Sequence, residues 1–154
     1  MIGRGIVPLA LLALPVLLVP LVPPLAAQIP PAALKAAELW FDAKASLGPF
    51  RGVTHEARGE TAGAPSLADV RGFVEMPAKS LATNNGLRDR DMRKTLEVGK
   101  YPTIRFDLDS VAVHTETPDS ARIELVGRMS IHGVTHPIRL PANLRRQQGE
   151  LRVT

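Results

Sequence analysis

Between Ala121 and Ile131 the chain alternates: Ile123, Leu125, Gly127, Met129 and Ile131 fall on one side, Arg122, Glu124, Arg128 and Ser130 on the other, with Val126 out of place. A period of two is the signature of a strand with one buried face. Val70, Gly72, Val74 and Met76 repeat it against Arg71 and Glu75, with Phe73 the exception. Ile138, Leu140, Ala142 and Leu144 repeat it against Arg139, Asn143 and Arg145. The full set of expected strands is Glu38–Leu47, Gly52–Gly59, Leu67–Met76, Thr103–Asp109, Ser110–Glu116, Ala121–Ile131, Pro137–Leu144 and a stub over Glu150–Thr154. Turn residues such as Gly48-Pro49, Thr117-Pro118-Asp119-Ser120 and Gln147-Gln148-Gly149 separate most of them, and many short strands with regular turns predict a sandwich or barrel. Pro141 has no donor for a sheet ladder, so its strand is expected to bend or to lie at an edge there.

One helix interrupts the strands, at about Gly86–Glu97. Asn84 or Asn85 can cap its start, Leu87, Met92 and Leu96 give it an apolar side, and Gly99 and Pro102 end it. It is expected to cover one opening or flank of the sheet.

The first 27 residues carry one charge, Arg4, followed by an acid-free apolar run over Ile6–Val22 and then Pro23-Pro24-Leu25-Ala26-Ala27. That order is the layout of a cleavable secretory signal peptide, with cleavage expected after Ala27. An uncleaved membrane anchor is the competing reading, weakened by Pro8, Pro15, Pro20, Pro23 and Pro24, which make a poor straight helix. Residues 28–37 read as a linker, and 38–154 as one domain. The protein is therefore expected to be periplasmic or secreted.

Cysteine is absent and the formal charge is +4, or +3 once Arg4 is removed. The first fact excludes disulfides, thiol catalysis and cysteine-based zinc sites. The second is spread over interleaved acids and bases, and the aromatics are scattered, so neither a basic stripe nor a stacking platform for nucleic acid emerges.

Catalytic and metal chemistry finds no constellation. His132 and His136 have a zinc-like spacing, but Gly133 and Pro137 break any helix, so a tight turn between strands is expected. No serine lies in a nucleophile elbow. His55 shares a strand face with Val53 and Ala57 and is either a ligand contact or a satisfied core histidine. Arg88, Arg90, Arg93 and Lys94 can hold an anionic head group. Asp89 and Arg93, four apart in the favourable order, also fit an ion-paired helix face, which is the commoner role of an exposed charge run.

Four features occur in series. Arg88-Asp89-Arg90-Asp91-Met92-Arg93 begins the helix and Leu96-Glu97-Val98 ends it. Tyr101-Pro102-Thr103-Ile104-Arg105-Phe106 opens a strand, and Ile131-His132-Gly133-Val134-Thr135-His136-Pro137-Ile138 makes a turn. In that order, from about Leu39 onward, the chain resembles the YceI-like family of small secreted proteins. The resemblance implies a mainly β fold, an extended antiparallel eight-stranded lipocalin-like barrel with one interrupting helix, whose interior holds an isoprenoid-type lipid. It implies a carrier and not an enzyme, without a cofactor or metal. The residues expected to line the interior are Phe41, His55, Val74, Met76, Ile104, Phe106, Ile123, Leu125, Met129 and Ile131, with Arg88 and Arg93 as head-group candidates. Gly72, Ala57, Ala43, Ala45 and Gly127 are expected to leave space inside. The alternative is a secreted structural or stress-response barrel with a filled core that acts through a protein partner.

The family's last strand has no counterpart here after Leu151-Arg152-Val153-Thr154. Either an open edge results, able to pair with a second copy of the chain, or the sequence is a truncated gene product.

Overall fold

The computed structural model describes residues 29–45 and 48–154. The expected signal peptide lies outside the described residues. The strands are β1 (Ala32–Ala33), β2 (Leu39–Ala45), β3 (Gly48–Thr54), β4 (Arg58–Thr61), β5 (Gly72–Pro77), β6 (Thr103–Glu116), β7 (Ser120–Ile131), β8 (Val134–Gln147) and β9 (Glu150–Val153), and helix α1 (Gly86–Thr95) stands between β5 and β6. Short 3-10 turns at Leu67–Asp69 and Ala78–Ser80 flank β5.

Seven strands form one antiparallel sheet in the order β1-β4-β5-β6-β7-β8-β9, while β2 and β3 form a separate hairpin. The sheet is curled into a half-barrel. The hairpin is tied to the rest by a backbone bridge between Val53 and Ala82.

Several expected boundaries shift. The stretch read as a linker is partly sheet, because Ile29 bridges Ala64 and Ala32 pairs with Thr61. The single strand expected over Gly52–Gly59 is two, broken at residues 55–57, and the stretch from Leu67 to Asp69 is a 3-10 turn. The two strands expected over 103–116 are one, with register shifts between Leu108 and Ser110 and between Val113 and Thr115. A bulge puts two residues opposite one and reverses which side chains face inward. Leu108 and Val111 thus both join the same apolar cluster although they are three apart, and the alternation breaks at the very place where the sequence reading cut the strand.

Two turns make the long hairpins. His132 (φ 53°) and Gly133 (φ 73°) join β7 to β8, and Gln148 (φ 52°) and Gly149 (φ 82°) join β8 to β9. Two successive left-handed residues match a two-residue turn to the twist of the flanking strands. The tight turn expected at His132 is the one found.

Helix α1 is capped by Asn85, whose side-chain oxygen accepts from the Arg88 N–H at 3.1 Å. Met92 and Leu96 pack inward as expected, but Leu87 is 67% exposed. Asp89 does not staple Arg93 by an ion pair. Its Oδ1 instead accepts from the Thr83 N–H at 2.8 Å and the Thr83 hydroxyl at 2.6 Å, tying the helix to the segment before it.

Candidate functional site

Cross-strand partners in an antiparallel sheet share a face, so the register fixes what lines the concave side. One row runs Val74, Phe106, Met129, His136; the next, Met76 and Ile104, continues toward Ile131 and Val134; farther along lie Val111, Leu125, Leu140 and then Val113, Ile123, Ala142. Eight of the ten expected lining residues, Val74, Met76, Ile104, Phe106, Ile123, Leu125, Met129 and Ile131, therefore occupy one face of the sheet. Phe41 reaches the same side from the hairpin, packed against Ala78, Leu81 and Ile104.

His55 is not among them. It lies in the break between β3 and β4, its side chain 71% exposed and its Nδ1 3.9 Å from Glu38. The apparent alternation Val53, His55, Ala57 crosses the end of a strand, so no common face exists. The expected lining set also omits Leu140, although its alternation with Arg139 marked an apolar face, and sequence reading missed Val111 and His136. Their signal lies only in the pairing register, which the bulge and the two prolines of β8 obscure.

The apolar face forms two clusters. One is built on Ala64, Val70, Val111, Ala121, Ile123 and Ala142, the other on Ala78, Leu81 and Ile104 with Met76, Met92, Leu96, Val98 and Met129 around them. The second is where α1 covers an end of the sheet. Toward β8 and β9 the covering stops: Ile131, Val134, Leu140, Leu151 and Val153 are 38, 50, 37, 53 and 53% exposed. An apolar trough is left open there.

The glycines expected to create space do not all do so. A Cβ on Gly127 would meet the Asp107 carbonyl oxygen and the Phe106 ring, and one on Gly72 would meet the backbone of Glu60 and Thr61. Both glycines admit a close approach of neighbouring atoms. Ala43 and Ala57 are half-buried, and the side chain of Ala45 is outside the described residues.

The convex side is charged and explains both exceptions to the alternation. Phe73 faces outward beneath the Arg105 guanidinium, 4.0 Å from its ring centroid. Val126 lies opposite Arg139 and Ser110. Glu75 accepts from Arg105 at 2.7 Å and from Arg58 at 2.6 Å, and these bonds hold its carboxyl below the usual range against the opposing effect of burial. Arg105 also reaches Asp107 at 2.8 Å, Arg128 reaches Asp109, and Arg139 reaches Glu124.

At the α1 end a cleft of about 600 Å³ opens between the two sides, with Met76, Pro77, Val98 and Pro102 as apolar walls and Glu56, Arg58 and Lys79 as charged ones. The head-group candidates diverge here. Arg93 Nε donates to the carbonyl of Lys79 at 3.2 Å, one residue removed from the cleft, whereas Arg88 lies over the Phe50 ring at 4.6 Å. His132 Nε2 is 2.6 Å from Glu97 Oε2 and stacks edge-on against Tyr101 at 4.8 Å, which joins the segment after α1 to the β7–β8 turn. Among the described residues no three of His, Cys, Asp and Glu gather as a metal site, and no helix is long and apolar enough to cross a membrane.

A family model described as the YceI-like domain matches residues 33–154. Among solved structures, BcnA of Burkholderia cenocepacia is similar at 12% identity and a TM-score of 0.59, covering 73% of this chain and 70% of its own. A polyisoprenoid binding domain from Saccharophagus degradans, implicated in plant cell wall breakdown, is similar at 14% identity and a TM-score of 0.56, covering 77% and 68%. At such identities the likeness is one of fold. No curated protein matches the chain.

Proposed function

Because the chain belongs to the YceI-like domain family, we propose that it is a carrier for an amphipathic, isoprenoid-type lipid, whose hydrocarbon chain lies along the concave face of the half-barrel. The observation that carries this reading is the trough itself. Ile131, Val134, Leu140, Leu151 and Val153 extend the buried apolar face of the sheet along β8 and β9 without cover among the described residues, and exposed apolar surface on one sheet face supports a binding site there. A lipid chain stabilises there by removing that surface from water, at roughly 25 cal/mol per Å². The polyisoprenoid binding of the Saccharophagus degradans domain supports this choice of ligand class. Val74, Met76, Phe106, Leu125 and Met129 are the lining residues of the reading, and Arg93 beside Lys79 is its head-group contact.

Export follows from the same reading. The acid-free apolar run ending in Ala26-Ala27 supports a cleaved signal peptide and a periplasmic or secreted carrier. The exported protein then begins at or near Gln28, which N-terminal sequencing of that pool reads directly. Retention in membranes after an alkaline wash supports the anchor instead.

The test of the ligand is lipid extraction from the purified protein followed by mass spectrometry, with thermal unfolding before and after delipidation. A ligand that binds only the folded state raises the melting temperature by mass action. The alternative, a filled barrel working through a protein partner, is favoured by one observation: the Phe106 ring occupies the space above Gly127. No lipid in the extract and no thermal shift with polyprenyl compounds establishes that alternative.

A further inference from the structure

We propose that α1, with the turn that follows it to Tyr101, is a lid over the concave face, latched by Glu97 on His132, and that its opening admits the lipid. This rests on the carrier reading above. The trough is open toward β8 and β9 but roofed at the α1 end, where Met92, Leu96 and Val98 pack against the cluster that holds Met76, Ile104 and Met129. A hydrocarbon chain that reaches those residues passes beneath the helix.

The roof is lightly fastened. No residue of α1 is buried, and a segment with few buried apolar contacts belongs to the low-stability end of a fold. Its front is anchored by the Asp89 bonds to Thr83, and its middle by Arg93 Nε on the Lys79 carbonyl at 3.2 Å. Behind it the amides of Lys100 and Tyr101 donate to the Glu97 carbonyl at 2.8 and 2.9 Å, so Glu97 and Tyr101 belong to one turn. That turn grips the β7–β8 hairpin: the Glu97 carboxylate reaches His132, and the Tyr101 ring lies against His132 and Gly133.

Both partners of the latch stand where glycine is favoured. Glu97 (φ 44°) occupies the left-handed position after the helix, its amide bonded to the Lys94 carbonyl and the Val98 amide to that of Arg93, which is the bonding of a glycine-type helix end. His132 (φ 53°) opens a two-residue turn, a place for Asn, Asp or Gly. Backbone geometry selects neither side chain, yet the two meet at 2.6 Å. The pair is half-exposed, and exposed pairs are weak, which suits a latch that has to open. The cleft with Val98 and Pro102 on one side and Met76, Pro77 and Lys79 on the other is the line along which the lid parts from the sheet.

The experiment follows uptake of a fluorescent polyprenyl lipid by the purified exported protein, beside hydrogen exchange at the Leu96 and Val98 amides, which close the helix end. Glu97→Gly keeps that helix end and His132→Asn keeps the turn, so folding survives in both. Each is expected to speed uptake by roughly two- to five-fold, the range open to an exposed pair, and to lower protection at Leu96 and Val98 while the amides of β6 and β7 stay unchanged. A helix end without a latch predicts the opposite for Glu97→Gly, higher protection, because glycine suits the left-handed position better. The chain has no cysteine, so Glu97→Cys with His132→Cys can be bridged selectively by a short bis-maleimide. Bridging should slow uptake several-fold, and capping the same two cysteines singly should not. Equal uptake in the bridged and singly capped proteins overturns the lid, as does unchanged or higher protection in Glu97→Gly. The two readings fail separately: if no variant binds the probe, yet Glu97→Gly loses protection at Leu96 and Val98 alone, the carrier is overturned and the latched lid is left standing.

Discussion

Lys35 Nζ lies 2.7 Å from Glu150 Oε1, an ion pair between the two opposite ends of a seven-stranded sheet. Lys35 follows β1, and Glu150 opens β9. From Ala33 the chain of partners runs through Glu60, Phe73, Asp107 and Arg128 to Pro137, whereas Glu150 pairs with Gln147, ten positions farther along β8. A rolled sheet closes only with such a stagger. The half-barrel is thus drawn together at one corner by a single exposed pair.

That pair titrates in a defined direction. Hydrogen bonding and the Lys35 charge hold the Glu150 carboxyl below its usual range, and the same contacts raise Lys35. A depressed acid contributes above its unfolded-state pKa, and the contribution is lost as pH falls through the lower folded-state value. Protection of the Leu34 amide, bonded to the Gly59 carbonyl, measured relative to its unstructured exchange rate at the same pH, should therefore fall in acid and in Lys35→Glu. High salt should reduce the difference between that variant and the original, since exposed pairs are screened. Identical exchange in both proteins at low salt rejects the corner contact.

Asp89 anchors α1 to Thr83. Bonds to the Thr83 hydroxyl first, and to its N–H, keep the Asp89 carboxyl below the usual range, aided by Arg93 and Arg88. Asp89→Ala should cost about 1.5–3 kcal/mol in urea unfolding, the usual worth of hydrogen bonds to a charged group. Asp89→Asn retains an acceptor and should cost less. In the original protein this stabilisation is present above the unfolded carboxylate pKa and fades as pH drops through the depressed one. If the midpoint of Asp89→Ala equals that of the original protein at neutral pH, Asp89 anchors nothing.

How much of this was legible in the sequence depends on how local the cause is. The face of Ala121–Ile131, the His132-Gly133 turn and the Asn85 cap are set by residues within a few positions of one another, and each was readable. Period two fails where a remote strand decides the outcome. The bulge at Asp109 turns both Leu108 and Val111 inward, and Ala32 becomes strand only because Thr61 offers a partner. Glu75 reads as an ordinary surface acid until Arg58 and Arg105 arrive from two other strands. The candidate site was legible as a face, through Ile123, Leu125 and Met129. His55 was misplaced because a strand ending after Thr54 leaves no mark in an alternating pattern.

The assignment of faces is itself testable. Ile123 is 2% exposed on the concave side, so Ile123→Ala should cost about 2–5 kcal/mol, the range for truncating a buried aliphatic side chain. Arg139, on the convex side with Glu124 as its partner, should lose no more than about 0.5 kcal/mol on replacement by Ala. The reverse order of the two in chemical denaturation inverts the sheet and every lining residue with it.

Gly133 is held by conformation and by contact together. It sits at φ 73°, and a Cβ there would run into the Tyr101 ring that also stacks on His132. Gly133→Ala should destabilise by at least the roughly 1–2 kcal/mol of a left-handed L-residue. The additional clash should show as loosened near-UV signal from Tyr101. A neutral result means the turn can be rebuilt away from the ring.

The long free edge of β8 carries its own protection. Asn143 exchanges backbone bonds with Thr154 on the β9 side, at 2.7 and 3.0 Å, and the β7–β8 register runs without a shift. Thr135, Pro137, Arg139 and Pro141 therefore point their backbone the same outward way, beyond the reach of β9 and Thr154, whose partners run over residues 143–147, and among the described residues no other strand pairs there. Two of these four positions are proline and donate nothing, so a second chain adding here would find half of the N–H donors missing. The expectation that Pro141 lies at an edge is met, and the edge is blunted as edges in soluble sheets are. Replacing both Pro137 and Pro141 with Thr restores the donors without touching the concave face. Sedimentation should then show the double variant dimerising or aggregating at concentrations where the original protein sediments as a smaller species. If the original protein already dimerises and the variant is no different, pairing runs through the outer edge of β9 instead, and Leu151→Lys with Val153→Lys should dissolve it.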